Sequence, residues 1–309
     1  MRIRIVSGFS AALLMSAGLL QAQQKSDSQF VAKVVDPAFA KGQGPVVSID
    51  EAHHNYHTAE GRYKGFAELL RKDGFRVGSS SGPFSAEQLK KTEILVIANA
   101  LHEKNARVWT LPTPSAFTDE EVQAVKKWVR GGGKLLLIAD HMPFPGAAEK
   151  LGKAFGYEFG NGYASGPKSG IFRKADGLLK KHAITVGRKP EEAIDSVRTF
   201  TGQAFKAVDA VKPLMVFGEG HFMRYPKTAN QFDGKTPRVD VNGWMHAGVR
   251  KFGKGRIAVF GEAAMFTAQT SGETRRPMGI NAPGAEQNQQ FCLNVLRWLS
   301  GKLEPDESR

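Results

Sequence analysis

From Pro45 onward the chain alternates short, unbroken apolar runs with segments in which apolar residues recur every three or four positions. Val46–Asp50 is such a run and ends in an acid. Tyr63, Phe66, Leu69 and Leu70 follow at helical spacing, and Gly74 stops that helix. Residues 75–77 predict a second strand. Ser85-Ala86-Glu87-Gln88 has the form of a helix capping box, and Ile94–Ala98 predicts a strand buried on both faces. A second box, Thr118-Asp119-Glu120-Glu121, leads a helix with Val122, Val125, Trp128 and Val129 on one face, closed by Gly131-Gly132-Gly133. Strands are then expected at 134–139, 214–217 and 256–260, and Phe291, Val295, Trp298 and Leu299 mark a closing helix.

Capped amphipathic helices alternating with fully apolar strands predict an α/β domain, doubly wound, with a mainly parallel sheet covered on both faces. The domain is expected to span residues 45–301, followed by a tail at 302–309. Between 155 and 212 the rhythm breaks in a glycine-rich stretch containing Asn161-Gly-Tyr-Ala-Ser-Gly166, read as an inserted lid or set of hairpins. Residues 23–44 are polar and aperiodic, and read as a leader or tether.

The first 22 residues have the form of a signal peptide: a basic start with Arg2 and Arg4, an uncharged apolar run from Ala11 to Leu20, and Leu20-Gln21-Ala22 before the cut. The run is about ten residues, against roughly twenty for a spanning helix, and no later segment is long enough, so an exported protein without an integral membrane span is expected, periplasmic or secreted. No cysteine would head the processed chain, so a lipid anchor is unsupported. The net charge of +13 favours acidic partners such as anionic glycan, but Lys and Arg are dispersed, which reads as a solvated surface and not as a specific nucleic-acid site. The single cysteine, Cys292, falls in the closing helix and can form no internal disulfide.

In open α/β sheets ligands sit beyond the carboxyl ends of the strands, and four predicted strands run directly into ionisable residues there. They are Asp50-Glu51-Ala52-His53-His54-Asn55-Tyr56-His57, Asp140-His141, Glu219-Gly220-His221 and Glu262. Any one could be an ordinary cap. Together they predict convergence of Asp50, His53, Asp140, His141 and Glu262 in one crevice. Imidazole with carboxylate suits a divalent metal, Zn, Mn, Fe or Ni, for which Asp50, His53, Asp140 and His141 are the candidate ligands. His54 and His57, with Glu219 and His221, could instead bind a polar substrate. Met142-Pro143-Phe144-Pro145-Gly146 reads as a stiff turn with an aromatic tip, either a pocket wall or a structural turn. Thr201 and Gln203, flanking Gly202 in the insert, could line the site from above or lie in an exposed hairpin.

The Val-Ser-Ile-Asp50 strand, the Lys-His182-Ala-Ile-Thr segment, and Gly253-Lys-Gly-Arg-Ile-Ala-Val-Phe-Gly-Glu262 ahead of 288–299 resemble the class I glutamine-amidotransferase-like superfamily, in its exported domain-of-unknown-function branch near GldG-like and ThuA-like proteins. The resemblance covers most of 45–301 and implies a flavodoxin-like fold. True amidotransferases place a cysteine just after a central strand. Here Asn99-Ala100-Leu101-His102 follows 94–98, Cys292 lies far along the chain, and no nucleophile elbow is present, so amidotransferase chemistry is contradicted. Fold alone then names no reaction.

Two functions remain. One is a periplasmic metal-dependent, hydrolase-like enzyme acting on a small polar substrate, a carbohydrate or envelope fragment, with Glu51 or Glu262 handling the proton of a bound water. The other is a non-catalytic ligand-binding or scaffold domain for an envelope glycan.

Overall fold

The computed structural model describes residues 24–167 and 170–304. The expected signal peptide lies outside the described residues. Five parallel strands form the heart of a nine-stranded sheet, in the spatial order Arg76–Ser80, Val46–Asp50, Ile94–Ala98, Lys134–Ile138, Gly255–Phe260. The chain therefore steps outward one way from Val46–Asp50 and then the other way to Ile94–Ala98. Between those two strands the connections leave for opposite faces, which opens a crevice at their carboxyl ends.

The side-chain alternation of the strands builds two cores. Leu95, Ile97, Leu135, Leu137, Ile257 and Val259 pack with Val122, Val125 and Val129 of the helix Asp119–Arg130. Val96, Leu136, Ile138 and Phe260 pack on the other face with Phe66 and Leu70 of the helix Lys64–Lys72 and Phe291 and Val295 of the helix Asn288–Ser300. Helices on both faces explain why the central strand Ile94–Ala98 is apolar at every position. Thr118 and Glu121 cap Asp119–Arg130 reciprocally, as their spacing predicts.

Three expectations need correction. Beyond Gly255–Phe260 the sheet turns antiparallel: Met245–Phe252 pairs with it and carries Lys212–Val216 and Phe205–Ala207 on its far side, with Tyr157–Phe159 pairing to Phe205–Ala207. The 155–212 segment is thus in part the edge of the main sheet and not wholly a lid. Residues 142–146 lead into the helix Phe144–Ala154 instead of a free-standing turn, because Pro145 falls in its first turn, where a missing N–H costs nothing. Residues 24–44 are no loose tether: Lys25–Ser26 pairs with Ala268–Ser271, and Ala32 is buried. Fully buried Arg297 explains that docking, since its guanidinium needs Asp73, Glu192 and the Asp36 carbonyl to complete its hydrogen bonds.

Candidate functional site

A cleft of about 520 Å³ opens beyond the carboxyl ends of Ile94–Ala98 and Lys134–Ile138. Its polar lining includes His57, Asn99, Asp140, His141 and Thr201, with Thr228, Asn230 and Gln231 also facing it. Tyr56, Trp109 and Phe144 form an aromatic wall, with ring centroids 5.0 to 5.8 Å apart.

Asn99 organises the floor. It is the first residue past its strand and adopts a left-handed backbone (φ +51°), a conformation asparagine tolerates better than most side chains. That twist turns its amide across the strand ends. Asn99 Oδ1 accepts the Asp140 backbone N–H at 2.9 Å, so its Nδ2 is the group that faces His57 Nδ1 at 3.3 Å. An amide nitrogen only donates, and His57 Nδ1 must therefore accept. We assign the His57 proton to Nε2. Burial, reinforced by Arg62 and His141, holds the His57 pKa well below the usual histidine range, so the ring is a neutral donor.

His141 has the opposite tautomer. Its Nδ1 lies 2.8 Å from the Met142 carbonyl, which can only accept, so the proton of the neutral ring sits on Nδ1 and that form carries its lone pair on Nε2. Its ring stacks on Tyr163 at 4.3 Å and 15°. The cleft therefore holds one neutral imidazole that donates and one that accepts.

Asp140 and Glu262 form the support beneath. Asp140 Oδ1 accepts from the His141 backbone N–H and the Thr201 hydroxyl, and Oδ2 from the Ala263 N–H. Glu262 is fully buried, and both its oxygens accept backbone N–H groups, from Ala264 and Met265. Burial, with the Asp140 charge behind it, pushes the Glu262 carboxyl well above the usual carboxylate range. Glu262 is not among the residues that line the cleft. It holds the 263–266 turn against Asp140 and does not face a ligand.

The expected five-residue convergence is divided in two. Asp50, His53 and Glu121 form a separate buried cluster: His53 Nδ1 lies 2.9 Å from Asp50 Oδ2 and Nε2 lies 3.0 Å from Glu121 Oε1. The Ala52 N–H and Asn55 amide complete Asp50. Burial lowers the His53 pKa, but the hydrogen bonds and charges of Asp50 and Glu121 outweigh it and raise the pKa overall. With both ring nitrogens engaged, His53 has no lone pair to give a metal. The donors facing the cleft are then His141 Nε2 and Asp140, whose oxygens already accept three protein hydrogen bonds. That is fewer than the three protein ligands of a catalytic zinc site. No group of three or more His, Cys, Asp or Glu among the described residues is placed to hold a metal ion. The quartet Asp50, His53, Asp140 and His141 therefore does not fit one metal centre.

The other candidates scatter. Glu51 Oε1 accepts from the Ala59 N–H and the Ser79 hydroxyl, which ties down the loop, and Glu51 does not reach the cleft. His54 and Glu219 are exposed and away from it. Gln203 is buried structurally, accepting from the Gly160 N–H and donating to the Ala139 carbonyl. His221 lines a neighbouring pocket, and Thr201 lines both. Asn99, Tyr56 and Trp109 were not expected, whereas Phe144, the aromatic tip of 142–146, takes the pocket-wall place that was one of its two readings. The strand-end rule that picked Asp140 applies equally to Asn99.

No protein-family profile matches the chain, and no curated protein matches it in sequence. Its fold is similar to solved structures. The mmIFT52 N-terminal domain has 14% identity and a TM-score of 0.58, covering 82% of this chain and 97% of that one. A thuA-like protein from Parabacteroides merdae ATCC 43184 has 11% identity and a TM-score of 0.49 over 86% of this chain and 93% of its own. Another, from Bacteroides uniformis ATCC 8492, has 13% identity and a TM-score of 0.44 over 89% and 96%. The class that emerges is a mixed α/β protein with a large, mainly parallel sheet.

Proposed function

We propose that the protein is an exported hydrolase-like enzyme for a small, uncharged, hydroxyl-rich substrate, a carbohydrate or envelope fragment, built on a flavodoxin-like scaffold of the class I glutamine-amidotransferase-like type. The observation that carries this reading is the pair of opposite imidazole tautomers facing one aromatic-walled cleft. A sugar ring has an apolar C–H face suited to Tyr56, Trp109 and Phe144, and a hydroxyl edge suited to neutral donors and acceptors. His141 Nε2 takes a proton from water as the water oxygen bonds to the substrate carbon, and returns that proton to the leaving oxygen as its bond to that carbon breaks, while His57 Nε2–H hydrogen-bonds the oxygen that gains charge. Asp140 orients the His141 backbone, and no step is routed through a metal.

The test is turnover of nitrophenyl glycosides and of saccharides released from bacterial envelopes. His141→Gln should lower turnover about 10²- to 10⁴-fold with the melting temperature unchanged. A second reading, a ligand-binding domain without catalysis, is favoured by the three protein hydrogen bonds that already hold Asp140. Saccharide binding with no turnover by the wild type would establish it in place of the first.

A further inference from the structure

A second chamber of about 330 Å³ adjoins the cleft, with Thr201 lining both. At its inner end His246, only 1% exposed, lies face to face with Phe172 (centroids 5.1 Å, 3°) and edge-on to Phe217 at 5.0 Å. His246 Nδ1 lies 2.8 Å from the Gln203 carbonyl, which fixes the proton on Nδ1. Nε2 is left as a lone pair with no hydrogen-bond partner among the described residues. Burial holds its pKa down at about 4, so near neutral pH the lone pair stays an acceptor. A buried polar atom without a partner is costly, and this one belongs to a residue of the chamber lining, so a ligand that supplies the missing donor would relieve that cost.

The rest of the lining narrows the donor. Arg198 also faces the chamber, and its Nε is a buried donor without a partner among the described residues. His221, whose Nδ1 is held 2.9 Å from the Gly218 carbonyl, presents a further Nε2 lone pair. A hydroxyl can donate to the histidines or accept from Arg198, and Phe172 and Phe217, in edge contact at 5.4 Å, give the chamber an apolar wall for C–H groups. We propose that this chamber is a second subsite, in which His246 Nε2 accepts a hydroxyl of the neighbouring ring of the same ligand, so that the groove takes two linked sugar-like units. The proposal rests on the carbohydrate reading of the first cleft and adds that the ligand is at least a disaccharide.

The test measures binding of glucose, galactose, mannose and N-acetylglucosamine, and of their β-1,4-linked dimers, to the full processed chain. It compares wild type, His246→Phe, which keeps the ring stacking, and His246→Gln, which restores an acceptor. The expected result is a dimer bound about tenfold more tightly than its monomer, an advantage lost in His246→Phe, regained in part in His246→Gln, with monomer affinity unchanged throughout. In the wild type the dimer, and not the monomer, should shift the His246 Nε2 nitrogen resonance, a readout that stands even if His246→Phe does not fold. Monomer binding with no dimer advantage, or an advantage that survives His246→Phe, overturns the second subsite and leaves the first cleft standing. Failure of every sugar to bind overturns both.

Discussion

Two clusters of histidine and acid lie at the ends of neighbouring strands, and they are put to opposite uses. Around His53 every polar atom is answered: Asp50 and Glu121 take its two nitrogens, Asn55 and a backbone N–H complete Asp50, and Phe84 and Phe117 pack on the ring at 4.5 and 4.8 Å. Around Asn99 the bonding stops short, because His57 and His141 each spend one nitrogen on the protein and keep the other for the cleft. The difference teaches that a strand-end histidine is a site residue when its hydrogen bonding is incomplete. Charge and burial alone do not separate the two.

The sharpest break between the clusters should come from removing their histidines. His53→Ala leaves two buried carboxylates facing each other and should cost about 3–5 kcal/mol, read as a large fall in the denaturation midpoint. His141→Ala, which is half-buried and makes one backbone bond, should cost about 1 kcal/mol or less. Equal costs would dissolve the distinction. Asn99→Ala lies between them. It strips the Asp140 N–H of its acceptor and frees the His57 tautomer, so about 1–3 kcal/mol and loss of saccharide binding are expected by calorimetry.

Acidity separates the clusters more gently. The raised His53 pKa means its pairing contributes fully below the ordinary histidine value, about 6.5, and is lost as pH rises through the raised value. Glu121 is lowered: burial opposes this, but the Thr118 N–H and His53 prevail. Its contribution is present above the ordinary glutamate value of about 4.3 and is lost as pH falls through the lowered one. The His53 pairing should therefore contribute most at mildly acidic pH, read by chemical denaturation as the pH at which wild type and His53→Ala differ most. His57, held neutral, acts with the opposite sign: below about 6.5 the unfolded ring gains a proton that the folded one does not, so it takes stability away as pH falls below that value. The smallest effect is at Cys292, fully buried beneath the Met265 carbonyl with burial pushing its thiol far up. It should resist thiol reagents in the native state and react only on unfolding.

Most of the parallel half of this fold could be read from the sequence, because strands such as Ile94–Ala98 are apolar at every position and helices such as Asp119–Arg130 announce their starts. Met245–Phe252 could not, since Gly248 and the polar Arg250 and Lys251 interrupt its pattern, and its pairing with Gly255–Phe260 is what makes it a strand. The site was half legible. Asp140, His141 and His57 follow from the strand-end rule, and so does Asn99 once the rule is applied without seeking a nucleophile. Trp109 comes from a loop whose Leu111 and Thr110 backbone is tied to Lys227 and Thr228, a long-range pairing that no local pattern carries. That His53 is structural depends on Glu121, which by sequence had already been assigned to a capping box.

Ring-nitrogen NMR of the histidines, followed while a saccharide that binds is titrated in, tests the central claim most directly. Before addition, His57 should be neutral with its proton on Nε2, and the neutral form of His141 should carry its proton on Nδ1. On addition the His57 and His141 Nε2 signals should move together, and both His53 signals should stay fixed. Movement at His53 with His57 and His141 silent, or a His57 proton found on Nδ1, would contradict the assignment of the site.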